Sequence, residues 1–270
     1  MDEKPDLAQI KAYTKAAWMA GDYPSFASYL EPGAREMLAG WAIPSGCRLL
    51  DVACGAGQVS LPAARAGVKI TGVDIATNLI QKAKAQAASE GLTARFDEGD
   101  MEDMPYSDAA FDVVVSMLGV MWALRPERVA SELLRVCKPG GRIILVNWTP
   151  TGLMGQIIER SRAGSPQVTP PPILWGDEKT VRDRLGRGVR ELRLERRMYP
   201  SLRYPCGPQE VAEIYFRDNG PGRIMFDLLS ADQQAAARVG LAQVFRSANR
   251  ATDGTVLLDA ECLEVTAVRA

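Results

Sequence analysis

Three short stretches of this chain combine residue types that can do chemistry. The first is Leu49-Leu50-Asp51-Val52-Ala53-Cys54-Gly55-Ala56-Gly57, an apolar run, an acidic residue, then two glycines one residue apart. A buried strand that stops on glycines can bring its backbone close to a ligand, because glycine admits turns that other residues resist. A helix pattern follows directly, and the free N–H groups of a helix start favour a carboxylate or a phosphate. The second is Asp74, which ends the run Lys69-Ile70-Thr71-Gly72-Val73. A carboxylate there can accept hydrogen bonds from both hydroxyls of a ribose. The third joins Glu98-Gly99-Asp100-Met101-Glu102-Asp103-Met104-Pro105-Tyr106 to Phe111-Asp112-Val113-Val114-Val115-Ser116.

Some chemistries are excluded at once. The chain has no histidine. Ser-His-Asp and Cys-His centres and histidine-ligated metals are therefore absent, and no metal site is expected. A general base, if one is used, is Asp, Glu, Tyr, Lys or Cys. A Walker phosphate loop is excluded because no Gly-Lys-Ser/Thr follows the glycines. A nicotinamide site stays open: its fingerprint needs a third glycine, and Gly55-Ala56-Gly57-Gln58-Val59-Ser60 lacks it, yet Asp74 could serve a ribose in either family. A net charge of −1 gives no reason to expect nucleic acid or an anionic membrane as partner. The five cysteines (Cys47, Cys54, Cys137, Cys206 and Cys262) are odd in number and form no CxxC pair, which fits a reducing cytoplasm. The N-terminus lacks a signal-type apolar core, and no apolar run nears the roughly 18 residues of a membrane span. A soluble cytoplasmic protein is expected.

The elements that must position these residues can be read from periodicity. Hydrophobic content of 47% supports a sizeable core. Helical spacing covers 6–20, and a second short helix is expected over 23–40. Between 47 and 148 the patterns alternate: strands at 47–52, 69–74, 94–98, 112–117 and 142–148, and helices at 58–66, 77–90 and 126–137. Gly67, Gly91 and the turn Lys138-Pro139-Gly140-Gly141 punctuate them. Repeated strand–helix units imply a parallel sheet with helices on both faces. From 149 to 187 the chain is rich in Gly, Pro and Ser, including Thr169-Pro170-Pro171-Pro172, and predicts a loop with a short helix at 177–185. A half-exposed strand at 189–199, helices at 208–219 and 224–248 and a strand at 255–269 complete the chain. The arginines from Arg182 to Arg203 interleave with Glu191 and Glu195, which reads as a solvated strand face.

With these motifs placed, the chain resembles the class I S-adenosylmethionine-dependent methyltransferases, close to their ubiquinone/menaquinone-methyltransferase-like branch. Asp51 to Gly57, Asp74, Gly99 to Tyr106, Phe111-Asp112 and Lys138 to Gly141 match that family's motifs in order and spacing, over roughly residues 45–150. The resemblance implies an α/β, doubly wound, mostly parallel seven-stranded sheet, Rossmann-like, with an N-terminal helical segment and a helical cap inserted between the last two strands. It divides the chain into a lid at 1–40 and a methyltransferase domain at 41–270, with a loop and helix at 150–187 and the cap at 204–250.

The same resemblance implies S-adenosylmethionine as cofactor and assigns roles. Asp51 and the backbone of Ala53, Cys54 and Gly55 would hold the methionine part. Asp74 would take the ribose with Ile75 against the adenine. Asp100 would accept from the adenine amino group, and the Met101 backbone would read the ring edge. Ser116 and Met117 would line the methyl-donor channel. Ala53 replaces the family's usual glycine, and Cys54 matches a cysteine that packs rather than reacts. The N/D-P-P-Y/F run of adenine and glutamine N-methylating relatives is absent; Ser116-Met117-Leu118-Gly119 stands there, which favours a small-molecule acceptor. Trp18, Tyr23, Trp122, Asn147 and Trp148 are the candidates for acceptor contact, Asn147-Trp148 because they close the fifth strand. No catalytic base is singled out and the oligomeric state is open. A silent S-adenosylmethionine-binding protein is the remaining alternative beside the nicotinamide one.

Overall fold

A computed structural model describes residues 6–162 and 172–270. In chain order, α1 (Leu7–Met19), α2 (Tyr23–Ser28) and α3 (Glu31–Gly40) precede the first strand, β1 (Arg48–Val52). Then come α4 (Ser60–Arg65), β2 (Lys69–Asp74), α5 (Thr77–Ser89), β3 (Ala94–Glu98), β4 (Phe111–Met117), α6 (Pro126–Val136) and β5 (Cys137–Trp148). The rest is α7 (Leu153–Arg162), α8 (Glu178–Leu185), β6 (Val189–Met198), β7 (Leu202–Tyr204), α9 (Pro208–Asp218), α10 (Gly220–Asp227), α11 (Ala231–Ala248), β8 (Val256–Leu258) and β9 (Glu261–Arg269). Short 3-10 turns lie at Val120–Trp122, Pro172–Gly176 and Gly186–Gly188.

The main sheet has the order β3-β2-β1-β4-β5-β9-β6. The first five strands run parallel, and β9 runs antiparallel to both β5 and β6. The central strands are buried on both faces, so β1 and β4 read as near-continuous apolar runs rather than alternating ones. Strand order reverses between β1 and β4. Such a switch point opens a crevice at the carboxyl ends of the strands, where folds of this kind take their ligands. Both Asp51 and Ser116 lie in the last turns of those two strands.

The contacts divide the chain into two compact units. One holds the seven-stranded sheet and comprises the described residues of Glu31–Pro200 with Ala260–Ala270. The other comprises those up to Leu30 together with Ser201–Asp259. Its core is aromatic: Phe26 meets Tyr215 edge-on at 6.0 Å, Phe216 stacks on Phe226 at 4.4 Å, and Tyr29 lies 4.6 Å from Tyr204. The units thus part at Leu30 rather than at residue 40, and the segment inserted between β6 and β9 joins the N-terminal helices.

Several elements differ from their sequence pattern. The helix expected over 23–40 breaks at Tyr29-Leu30 into α2 and α3. The one expected over 224–248 breaks before Ala231. There Ser230 caps α11, its Oγ accepting from Gln233 N–H while Gln233 Oε1 accepts from Ser230 N–H at 2.9 Å. The strand expected at 255–269 is two: β8 pairs with β7 in a small ribbon, and β9 enters the main sheet. Within the loop expected at 149–187, Leu153–Arg162 is helical, with Met154, Ile157 and Ile158 buried. Residues 169–171 of the proline run lie outside the described residues. Among the described residues, no helix is long and apolar enough to cross a membrane.

Candidate functional site

The loop after β1 is built for close backbone approach. Ala53, Gly55 and Gly57 all have positive φ, at 56°, 55° and 98°. Asp51, at the end of β1, is almost fully buried, and its Oδ2 accepts from the Ser60 hydroxyl at 2.6 Å. Burial pushes its carboxyl up to about 7; the Ser60 bond opposes the rise and the neighbouring Asp74 charge adds to it. Ser60 occupies the position of the missing third glycine. A dinucleotide fold keeps glycine there for close helix–strand packing. Here the side chain instead ties the start of α4 to the strand-end carboxylate.

Asp74 fixes the same loop from β2. Its Oδ2 accepts from Gly55 N–H at 2.8 Å and its Oδ1 from Ala76 N–H at 2.8 Å. Burial raises this carboxyl, against the pull of N–H groups from Ala76, Gly55 and Ile75. Each carboxylate oxygen keeps a second acceptor site, so holding the loop does not use up the group. Cys54 points the other way. Its Sγ is buried with Leu61, Ile80 and Phe96, and a side chain at Gly72 would come within 2.8 Å of it. Its thiol is pushed well up by burial, so it packs and does not react.

The loop from Gly99 to Tyr106 is held by acids that the sequence reading passed over. Asp100 Oδ1 accepts from Glu102 N–H at 2.8 Å, which folds the loop back on itself with Met101 half-buried at its tip. Glu102 is buried and accepts from both the backbone N–H and the Nε of Arg125, at 2.7 and 2.8 Å. Glu132 accepts from Met104 N–H at 2.8 Å and pairs with Arg135 at 2.7 Å. Burial pushes Glu132 up, but Arg135 and the Met104 N–H outweigh it and leave the carboxyl below its ordinary range.

At the switch point, Ser116 is fully buried. Its Oγ donates to Val52 carbonyl at 2.7 Å and accepts from Val120 N–H at 3.1 Å, so it staples β1 to the turn after β4. Leu118 has φ of 58°, and Gly119 lies against the β1 loop: a Cβ there would stand 2.5 Å from the Ala53 methyl. Gly119 therefore gives back the space that Ala53 takes. Met117 Sδ accepts from the Tyr199 hydroxyl at 3.6 Å, and Tyr199 meets Trp148 edge-on at 5.2 Å. Tyr199 had no signal in the sequence beyond its strand position.

The five motifs separate by place. Asp51, Ala53, Cys54, Gly55, Asp74, Ile75, Asp100, Met101, Ser116 and Met117 fall at the carboxyl ends of β1 to β4 or in the loops that follow. Phe111-Asp112 and Lys138 to Gly141 fall at the opposite end. There Asp112 accepts from Arg48 N–H at 2.8 Å and pairs with Lys138 at 2.5 Å, an anchoring role. Of the acceptor candidates, Trp18 and Tyr23 lie in the helical unit and meet edge-on at 5.3 Å. Trp122 is half-buried in the turn after β4, Trp148 is buried, and Asn147 is fully buried. Two buried carboxylates on adjacent strand ends, beside a loop of left-handed residues, suit a ligand with a cation at one end and a diol at the other. The methionine ammonium and the ribose of S-adenosylmethionine have that chemistry.

Comparison with known proteins agrees. The family model described as methyltransferase domain matches residues 50–145. An uncharacterized protein of Mycobacterium tuberculosis is 34% identical over 252 residues, covering 92% of this chain and 91% of its own. The malonyl-[acyl-carrier protein] O-methyltransferase of Pectobacterium atrosepticum is 34% identical over 124 residues, 46% of this chain and 47% of its own. The structure of Haemonchus contortus phosphoethanolamine N-methyltransferase 2 shares the fold, with a TM-score of 0.58 at 16% identity over 87% of this chain and 52% of that one. A catalytic methyltransferase domain of this kind leaves no place for the nicotinamide alternative. The chain belongs to the class I S-adenosylmethionine-dependent methyltransferases.

Proposed function

We propose that the enzyme methylates a small molecule by in-line displacement, with the cofactor held along the carboxyl edge of β1, β2 and β3. The observation that carries this reading is the pair of buried carboxylates, Asp51 and Asp74, locked to opposite sides of one left-handed loop. In it, Asp51 and the backbone of Ala53, Cys54 and Gly55 hold the methionine part. Asp74 binds the ribose hydroxyls, Ile75 lies against the adenine, Asp100 accepts from the adenine amino group, and the Met101 backbone reads the ring edge. Ser116 sets the position of the turn after β4, and Met117 lines the donor channel.

When bound, S-adenosylmethionine supplies a methyl group already activated by its sulfonium. The protein's own task is then alignment and exclusion of water. A chain without histidine suits this, because a thiol or a phenolate needs no strong base. Calorimetric titration with S-adenosylhomocysteine tests the reading. Wild type should bind, and Asp74→Ala should weaken binding by about 100-fold, having lost both a charged acceptor and the loop's anchor. Equal binding by the two proteins would reject the ribose role, and no binding to the wild type would reject the site.

A further inference from the structure

Asn147 sits where the proposed cofactor edge meets β5. Its residue number follows Val146, whose carbonyl accepts from Leu118 N–H at 2.8 Å, so it stands beside the left-handed turn after β4. Two 3-10 turns, Val120–Trp122 and Pro172–Gly176, pack against β5 and against each other. The second rests directly on the strand end, since a side chain at Gly176 would collide with the Trp148 carbonyl. Asn147 is 0% exposed, yet among the described residues neither its Oδ1 nor its Nδ2 has a hydrogen-bond partner. The indole Nε1 of Trp175, 1% exposed in the turn that rests on this strand end, has none either.

A buried amide with both ends unmade is costly to fold, and most buried polar groups avoid it. A leucine of similar size would fill the same space without that cost. Retaining the amide makes sense where a ligand completes it. An amide presents a donor and an acceptor side by side, and it carries no charge. The cation nearest in the fold, Arg184, lies 4.7 Å over the Trp175 ring and already faces Glu127 at 3.4 Å. A charged head group would thus go unmatched in so buried a place.

We propose that Asn147 and the Trp175 indole N–H anchor the methyl acceptor through a neutral planar group that offers a donor beside an acceptor: a carboxamide, a lactam or an enolised β-dicarbonyl. This rests on the methyl-transfer reading above and adds the recognition chemistry to it.

The experiment uses the full chain, labelled S-adenosylmethionine and a panel of acceptors. The panel holds 2-hydroxybenzamide, 2-pyridone and acetylacetone, with phenol and aniline as controls lacking the paired group. Wild type should methylate at least one of the first three in preference to the controls. Asn147→Leu should lower kcat/KM for that acceptor about 100-fold while S-adenosylhomocysteine binds as in wild type. The same variant should melt about 2–6 °C higher without ligand, because the unmade bonds are gone. Trp175→Phe, which keeps the ring and removes the N–H, should raise KM for the acceptor about 10-fold with kcat retained. Turnover of the controls alone, of none of the panel, or undiminished turnover by Asn147→Leu overturns the proposal. So does a lower melting point or failure to fold in Asn147→Leu, which would mark the amide as part of the scaffold. Loss of S-adenosylhomocysteine binding by the wild type would instead strike the cofactor reading itself.

Discussion

At Asp51, burial works against ionisation, and the Asp74 charge adds to it more strongly than the Ser60 hydroxyl can offset. Its folded value of about 7 lies above the ordinary 3.8. Ionised Asp51 therefore costs stability above pH 7, and the cost is relieved as pH falls from 7 towards 4. Asp51→Asn should flatten that part of the stability–pH curve, measured by denaturation of the ligand-free protein. A ligand ammonium beside the carboxylate has the opposite preference. Affinity for S-adenosylhomocysteine should rise as pH climbs to 7 and level off above it. Titrations at pH 6 in buffers of different ionisation enthalpy should register proton release on binding, and absence of release would separate Asp51 from the ammonium. At this scale the sequence was partly legible. Acidic residues at strand ends announce themselves by spacing. Ser60's bond to Asp51, the Tyr199 contact with Met117 and the unmade bonds of Asn147 depend on which side chains meet across strands, and no local pattern encodes that.

The loops that shape the site are held by elements behind them, and their substitution should show it. Glu102 is 2% exposed while its partner Arg125 is 48% exposed. Removing the buried member strands the Arg125 backbone N–H as well as a charge, whereas removing the exposed member leaves Glu102 its backbone donor. Glu102→Ala should cost about 3 kcal/mol and Arg125→Ala nearer 1 kcal/mol, read from urea unfolding. A reversed order would show that the arginine, not the acid, organises the loop. The contact of Gly119 with Ala53 gives a second case. Gly119→Ala should destabilise by about 1–3 kcal/mol through overpacking, and Ala53→Gly in the same chain should recover part of it. Additive losses would deny the coupling. Strands and helices from 47 to 148 were legible because period and punctuation agree there. α7 escaped notice because glycine and proline surround it, although Met154, Ile157 and Ile158 keep helical spacing. The 255–269 run looked like one strand because the pattern of apolar residues continues through Asp259-Ala260, where the chain passes from one unit to the other.

Over the whole molecule, the chain passes between its two units at Leu30, Pro200 and Asp259, so neither unit is one uninterrupted segment. Sequence order therefore hides the division, although the seven-stranded sheet itself was foreseen. Every residue assigned to the cofactor lies in the sheet unit, on loops from four different strands. Those loops are tied to one another by Gly55 to Asp74 and by Ser116 to Val52 and Val120. A ligand seated on them should tighten all four together, although they lie far apart in sequence. Hydrogen-exchange mass spectrometry with S-adenosylhomocysteine should show slower exchange in peptides spanning 53–57, 74–76, 99–104 and 116–120. At a ligand concentration of 100 times Kd, stabilisation should reach about 2.7 kcal/mol, seen as a rise in melting temperature that Asp74→Ala largely abolishes. Protection limited to 53–57 would mean that the first loop binds alone and that the adenine end is not where Asp100 and Met101 stand. Protection of all four with no change in melting temperature would mean that the sheet unit is not the part whose unfolding limits stability.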